Sequence, residues 1–128
     1  LDIDFSEITI KNLNVINSDN DCADFSSGFY IIENAILSNC SDKGISIGEN
    51  STIEGSGIEI NSSFIAIAVK DSSIVSIDTF NSSEVEYCAT AYRKKQEFAG
   101  SILNIDNFNC DSLNQSFIQE RSIFNARN

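Results

Sequence analysis

Asparagine returns along this chain at a nearly constant interval. The turn-like pairs Asn17-Ser18, Asn39-Cys40, Asn61-Ser62 and Asn81-Ser82 lie 22, 22 and 20 residues apart, and Asn107 or Asn109-Cys110 extends the series after a longer step. A recurrence of this length marks a stacked-repeat architecture. The segments between the turns align as well. Laying Asn20–Phe25 over Asp42–Ile47, Phe64–Ala68 and Tyr87–Ala91 makes two apolar columns, Ala23/Ile45/Ala66/Ala89 and Phe25/Ile47/Ala68/Ala91, two positions apart. Two is the side-chain period of a strand. A second set of apolar residues follows each row (Tyr30-Ile31-Ile32, Thr52-Ile53, Ile74-Val75, Ile102-Leu103), and a third precedes each turn (Val15-Ile16, Ile36-Leu37, Ile58-Glu59-Ile60, Phe80, Phe108). Three short strands per repeat, stacked in register, predict an all-β fold: a right-handed, single-stranded parallel β-helix of about five rungs of 20–22 residues. A β-sandwich would not return the same turn residue at this interval, and a leucine-rich repeat would need Leu where this chain has Ile and Val.

Composition agrees and narrows the chemistry. Ile, Ser and Asn dominate the 128 residues, which suits strands and turns rather than helices. There is no Pro, Met, Trp or His. Without His there is no imidazole base, no Ser-His-Asp or Cys-His pair and no His-rich metal site. Nineteen Asp and Glu against eight Lys and Arg give a formal charge of −11, which argues against nucleic acid as a partner. No apolar run approaches the roughly 20 residues that cross a bilayer. Residues 1–110 read as rungs with an insertion loop at 94–100, and 111–128 as a C-terminal extension or cap. Within that extension, Asp111 or Ser112 could cap a short helix carrying Leu113, Phe117 and Phe124, or Ser116-Phe117-Ile118 could be another strand. At the other end Ile3, Phe5, Ile8 and Ile10 alternate as a strand already in register. The number of rungs is therefore arbitrary, and the chain is expected to be a segment of a longer solenoid able to self-associate through its end rungs.

The same alignment predicts four reduced thiols. Cys22 and Cys88 fall in one outward column three rungs apart, about 14 Å by the strand spacing, and Cys40 and Cys110 in a turn column at a similar separation. A disulfide needs Cα atoms within about 7 Å. A four-cysteine metal site fails on the same ground, so no metal site is assigned. The sequons at Asn39, Asn50, Asn61, Asn81 and Asn114 are read as products of an Asn/Ser-rich composition. Asp19, Asp21 and Asp24 could take calcium, but they lack the Gly and closing Glu of an EF-hand loop and read as a solvated turn.

The repeated Ile-x-Ile and Asn-Ser pattern over residues 8–109 resembles the pectin lyase-like superfamily of parallel β-helices, which includes polysaccharide lyases, hydrolases, epimerases, adhesins and tailspikes. The segments Asn20–Phe25, Asp42–Glu49, Lys70–Ser73 and Ala91–Phe98 resemble β-helix segments of bacterial surface proteins that also carry a spore-coat-kinase-like domain. These resemblances imply polysaccharide or glycan as the partner class and an extracellular or cell-surface location.

Basic residues gather on one flank. Lys43, Lys70, Arg93, Lys94 and Lys95 fall on the same side of successive rungs, and the alignment puts Ser27, Glu49, Lys70 and Arg93 in one column with Gly28, Asn50, Asp71 and Lys94 beside it. The candidate ligand-binding residues are thus Glu49, Lys70, Asp71, Tyr92, Arg93 and Lys94 under the insertion loop. Lys70, Arg93 and Lys94 would hold uronate or sulfate groups, Tyr92 and Phe98 would face sugar rings, and Asp24, Glu49 or Asp71 would supply acid-base groups or calcium ligands. The expected function is a noncatalytic scaffold with an acidic-glycan-binding face; the alternative is a polysaccharide lyase or epimerase acting on a uronate-containing polymer. An ordinary ladder of exposed ion pairs, each worth about 0–1 kcal/mol, explains the same charges without a ligand.

Overall fold

The computed structural model describes residues 1–112, 114–118 and 121–127, with the backbone alone for 114–117. Nine strands follow one another: β1 (Asp2–Asp4), β2 (Glu7–Ser18), β3 (Ala23–Ser26), β4 (Phe29–Gly48), β5 (Thr52–Lys70), β6 (Ile74–Tyr92), β7 (Ile102–Cys110), β8 (Asn114–Ile118) and β9 (Ile123–Ala126). Every pairing between them is parallel, and each strand pairs with the chain about one repeat further on. The result is an all-β solenoid of about five stacked coils, with no helix among the described residues.

Each coil has three faces. The first corner carries left-handed backbone at Phe5, Ser27, Glu49 and Asp71 (φ 51° to 55°), the third at Asn17, Asn39, Ser62 and Glu84 (φ 55° to 66°). The second is marked by a gap in the ladder at Glu33, Ser56 and Asp78. Asn tolerates left-handed backbone better than most residues, which explains two of the Asn-Ser signals. Asn61 and Asn81 precede the corner instead.

Inward side chains stack in columns. Phe25/Ile47/Val69/Ala91 and Ala23/Ile45/Ile67/Ala89 fill the first face, Tyr30/Ile53/Val75/Leu103 the second, and Ala35/Ile58/Phe80/Phe108 the third. The expected Ala66 and Ala68 are therefore displaced by Ile67 and Val69. Phe80 and Phe108 stack at 5.8 Å between ring centroids, as a one-coil step requires. Beside the first corner runs a buried serine column: Ser73 Oγ accepts from Ser51 N, and Ser122 Oγ accepts from Ser101 N, at 3.1 and 3.0 Å. These hydroxyls satisfy backbone donors that a corner leaves without ladder partners.

Four expectations need correcting. The cysteines are not reduced: Cys22 bonds Cys40 and Cys88 bonds Cys110, with Cα atoms 5.4 and 6.0 Å apart. Comparing cysteines only within a column overlooked pairs that meet diagonally across the third corner. Cys22 and Cys88 also point inward, both fully buried. Phe5 does not continue a strand; it occupies the first corner, 80% exposed, between β1 and β2. Of the two readings of residues 111–128, the helix fails where described and the strand at Ser116-Phe117-Ile118 holds, since these residues belong to β8, which pairs with β6, and β9 pairs with β7; Leu113 lies outside the described residues. Lys70 and Arg93 share no column, because Lys70 pairs with Tyr92.

Candidate functional site

The predicted residues gather around the first face and first corner, but in two groups with different occupations. The first group holds the insertion loop. Ile74 pairs with Ile102, 28 positions on, where neighbouring steps span 21 to 23, so the extra residues leave the coil within 93–100. Asp71 is 1% exposed, and its Oδ1 accepts from the backbone N–H of Lys94 and Lys95 at 2.6 and 2.8 Å. Ser72 exchanges two further bonds with Ala99. Glu49 takes the Lys95 ammonium, and that hydrogen bond holds the Glu49 carboxyl below the usual range and the Lys95 amine above it. Asp71 and Glu49 therefore secure the loop. Arg93 and Lys94 are exposed on its near side. Phe98 does not join Tyr92; it lines a separate groove with Phe5, Phe29 and Glu49.

The second group lies on the outward side of the first face. Alternation turns Ser46, Ala68 and Thr90 away from the core in one register column, yet all three are buried. Long, half-buried side chains flank them, Lys43, Ile65 and Tyr87 on one side and Lys70 and Tyr92 on the other. The hydroxyls of Ser46 and Thr90 have no hydrogen-bond partner among the described residues. A buried hydroxyl without one costs about 1–3 kcal/mol.

Lys70 crosses Gly48. A Cβ on Gly48 would stand 2.9 Å from Cε of Lys70, so the glycine makes room for this stem. Among the described residues no carboxylate forms an ion pair with Lys70. Burial pulls its amine below the ordinary lysine value, with Asp24 partly opposing. Burial likewise raises the Asp24 carboxyl, and Lys70 opposes it. Lys43 behaves differently. Burial pulls it down, but hydrogen bonding to Asp42 at 2.8 Å and the charge of Asp21 at 3.8 Å outweigh that and leave its pKa raised. Burial also raises the Tyr92 phenol.

One coil above Lys70 the face changes character. Ile65, Tyr87, Thr90 and Tyr92 line a cleft of about 270 Å³. Tyr87 is held edge-on against Phe64 at 5.6 Å. The face thus runs from an ionic part (Asp24, Lys43, Lys70) to an aromatic part with one unpartnered hydroxyl. Among the described residues no group of three or more His, Cys, Asp or Glu stands close enough to hold a metal ion. No described helix is long and apolar enough to cross a membrane.

Of the six predicted residues, Lys70 and Tyr92 meet at this face, Glu49 and Asp71 sit at the loop's base, and Arg93 and Lys94 lie on the loop. Tyr87, Thr90 and Ile65 were missed, although Thr90 falls two coils above Ser46 once the register is right. No protein-family model matches the chain, and neither a curated protein nor a solved structure matches it.

Proposed function

We propose that this chain is a noncatalytic β-solenoid segment of a larger surface or extracellular protein, a rigid scaffold whose first face binds an acidic glycan. The observation that carries the reading is Lys70, a half-buried cation with no ion-pair partner among the described residues, held over Gly48 beside an aromatic cleft. A cation placed so gains more from an incoming carboxylate or sulfate than an exposed lysine would. Tyr rings beside it offer the flat apolar surface that sugar rings cover. Two disulfides suit an oxidising, extracellular compartment. The resemblance to pectin lyase-like β-helices supports a polysaccharide ligand. Calorimetric titration with uronate and sulfated polysaccharides tests it: binding lost in Lys70→Ala with the fold intact supports the reading, and no binding across the panel, with calcium present, contradicts it.

A second reading, a polysaccharide lyase or epimerase, draws on the same lysine. Removing the proton alpha to a uronate carboxyl needs a base, and the lowered pKa of Lys70 makes its amine a better one than Tyr92, whose phenol is raised. Growth of ultraviolet absorbance from unsaturated uronate would favour the lyase. Self-association through the end coils belongs to the main proposal, and light scattering over a concentration series tests it.

A further inference from the structure

The third face carries a different chemistry, in a hollow of about 490 Å³ where it meets the third corner. Two outward columns build it. Glu59, Asn81 and Asn109 stack in register on β5, β6 and β7, and beside them stand Asn61 and Ser83, with Asp111 just past the end of β7. Phe108 adds apolar surface to the lining. No Lys or Arg lines the hollow, and among the described residues neither Glu59 nor Asp111 forms an ion pair. An acidic sugar would meet only like charge here.

Hydrogen bonds within the array leave a defined set of groups open. Asn61 donates to Glu59 Oε1 at 2.9 Å and accepts from the Ser83 hydroxyl at 2.7 Å, so its amide is engaged at both ends. Asn109 donates to Asn81 Oδ1 at 3.2 Å. Among the described residues this leaves the Asn81 N–H groups as donors, and Asn109 Oδ1, the second Glu59 oxygen and the Asp111 carboxylate as acceptors. A ligand that satisfies the set must accept at Asn81 and donate on either side. An ammonium group cannot accept, and a carboxylate or sulfate cannot donate. A hydroxyl does both, and a sugar ring presents several side by side. We infer that this hollow binds a neutral sugar residue of a polysaccharide through its hydroxyls, with Asn81 donating, Asn109, Glu59 and Asp111 accepting, and the apolar side of the ring against Phe108. This second site is independent of the ligand on the first face. The two together let one solenoid hold a neutral and an acidic polymer at once.

Calorimetric titration with a mixed-linkage β-glucan, a galactomannan and a xyloglucan, beside polygalacturonate, tests the assignment. At least one neutral polymer is expected to bind the wild-type protein. Asn81→Asp keeps the oxygen that holds Asn109 but exchanges the donor for an acceptor, and should weaken the neutral polymer about five- to tenfold while sparing polygalacturonate. Asp111→Ala, at an exposed position, should weaken the neutral polymer as well. Lys70→Ala should leave it untouched. Neutral binding that Asn81→Asp leaves unchanged or tightens, that disappears in Lys70→Ala, or that is absent with all three polymers would overturn the inference. Polygalacturonate binding that fails while a neutral polymer still binds would overturn only the reading of the first face.

Discussion

Asp71 and Lys70 are neighbours in sequence with opposite fates, because they straddle the start of a left-handed corner. Asp71, turned into the corner, uses its carboxylate on two backbone amides of the insertion loop. A bond of this kind contributes about 1.5–3 kcal/mol and these two share one oxygen, so Asp71→Ala is expected to destabilise by about 2–4 kcal/mol in urea unfolding and to speed amide exchange across residues 93–100. Asp71→Asn, which keeps an acceptor and tolerates the same backbone, should lose less. Lys70, turned out, has no ion-pair partner among the described residues. Its lowered pKa means that the unfolded chain binds more protons between the folded value and 10.5, so this residue's contribution to stability rises with pH in that alkaline window. Asp24 runs the other way. Its raised pKa makes the folded chain bind more protons, so its contribution is greatest below 3.8 and falls as pH climbs through the folded value. Asp24→Asn should therefore gain stability over the wild type near neutral pH, an advantage that fades on acidification, and should lower the Lys70 pKa further by NMR titration. The basic strip was legible in the sequence, but its register was not. Phe64–Val69 is an unbroken apolar run, and without alternation it gives no parity, so a one-residue slip put Lys70 beside Arg93 instead of Tyr92.

At the scale of the element, each disulfide closes one coil. Cys22–Cys40 spans 18 residues within the second coil and Cys88–Cys110 spans 22 around the coil that bears the insertion, leaving the coils between them to parallel pairing and stacking alone. Closing a loop of this length contributes about 3 kcal/mol by restricting the unfolded chain. Replacing either pair by serine is expected to lower unfolding free energy by about 2–4 kcal/mol, and thiol titration of the untreated protein should find no free thiol. Four titratable thiols would restore the reading drawn from columns. That reading failed for a geometric reason: column logic places residues one coil apart along the axis, but says nothing about which columns meet across a corner. Asparagine ladders show the complementary success. Asn39 donates to Asn17 at 2.9 Å and Asn109 to Asn81 at 3.2 Å, as stacked turn residues should. They form separate short ladders, because Glu59 and Ser83 take the bonds of Asn61.

Over the whole molecule, the period alone specified the stack, since coils of equal length can bury their inward side chains only against one another. The first coil makes the dependence visible. Ile3, Ile10, Leu13 and Val15 are half-buried, whereas their column partners Phe25, Ile32, Ala35 and Leu37 are buried one coil up. Function was less legible, because the cleft is assembled from Ile65, Tyr87, Thr90 and Tyr92 on two successive coils, and none of them forms a motif along the chain. The most direct test of the account is amide and side-chain shift mapping by NMR during titration with an acidic polysaccharide. Shifts concentrated at Lys70, Tyr87, Thr90 and Tyr92, with the second and third faces unmoved, are the predicted result. Saturable binding that instead shifts the Asn-bearing third face or the Phe5–Phe29 groove, or no shift at any concentration, would contradict it.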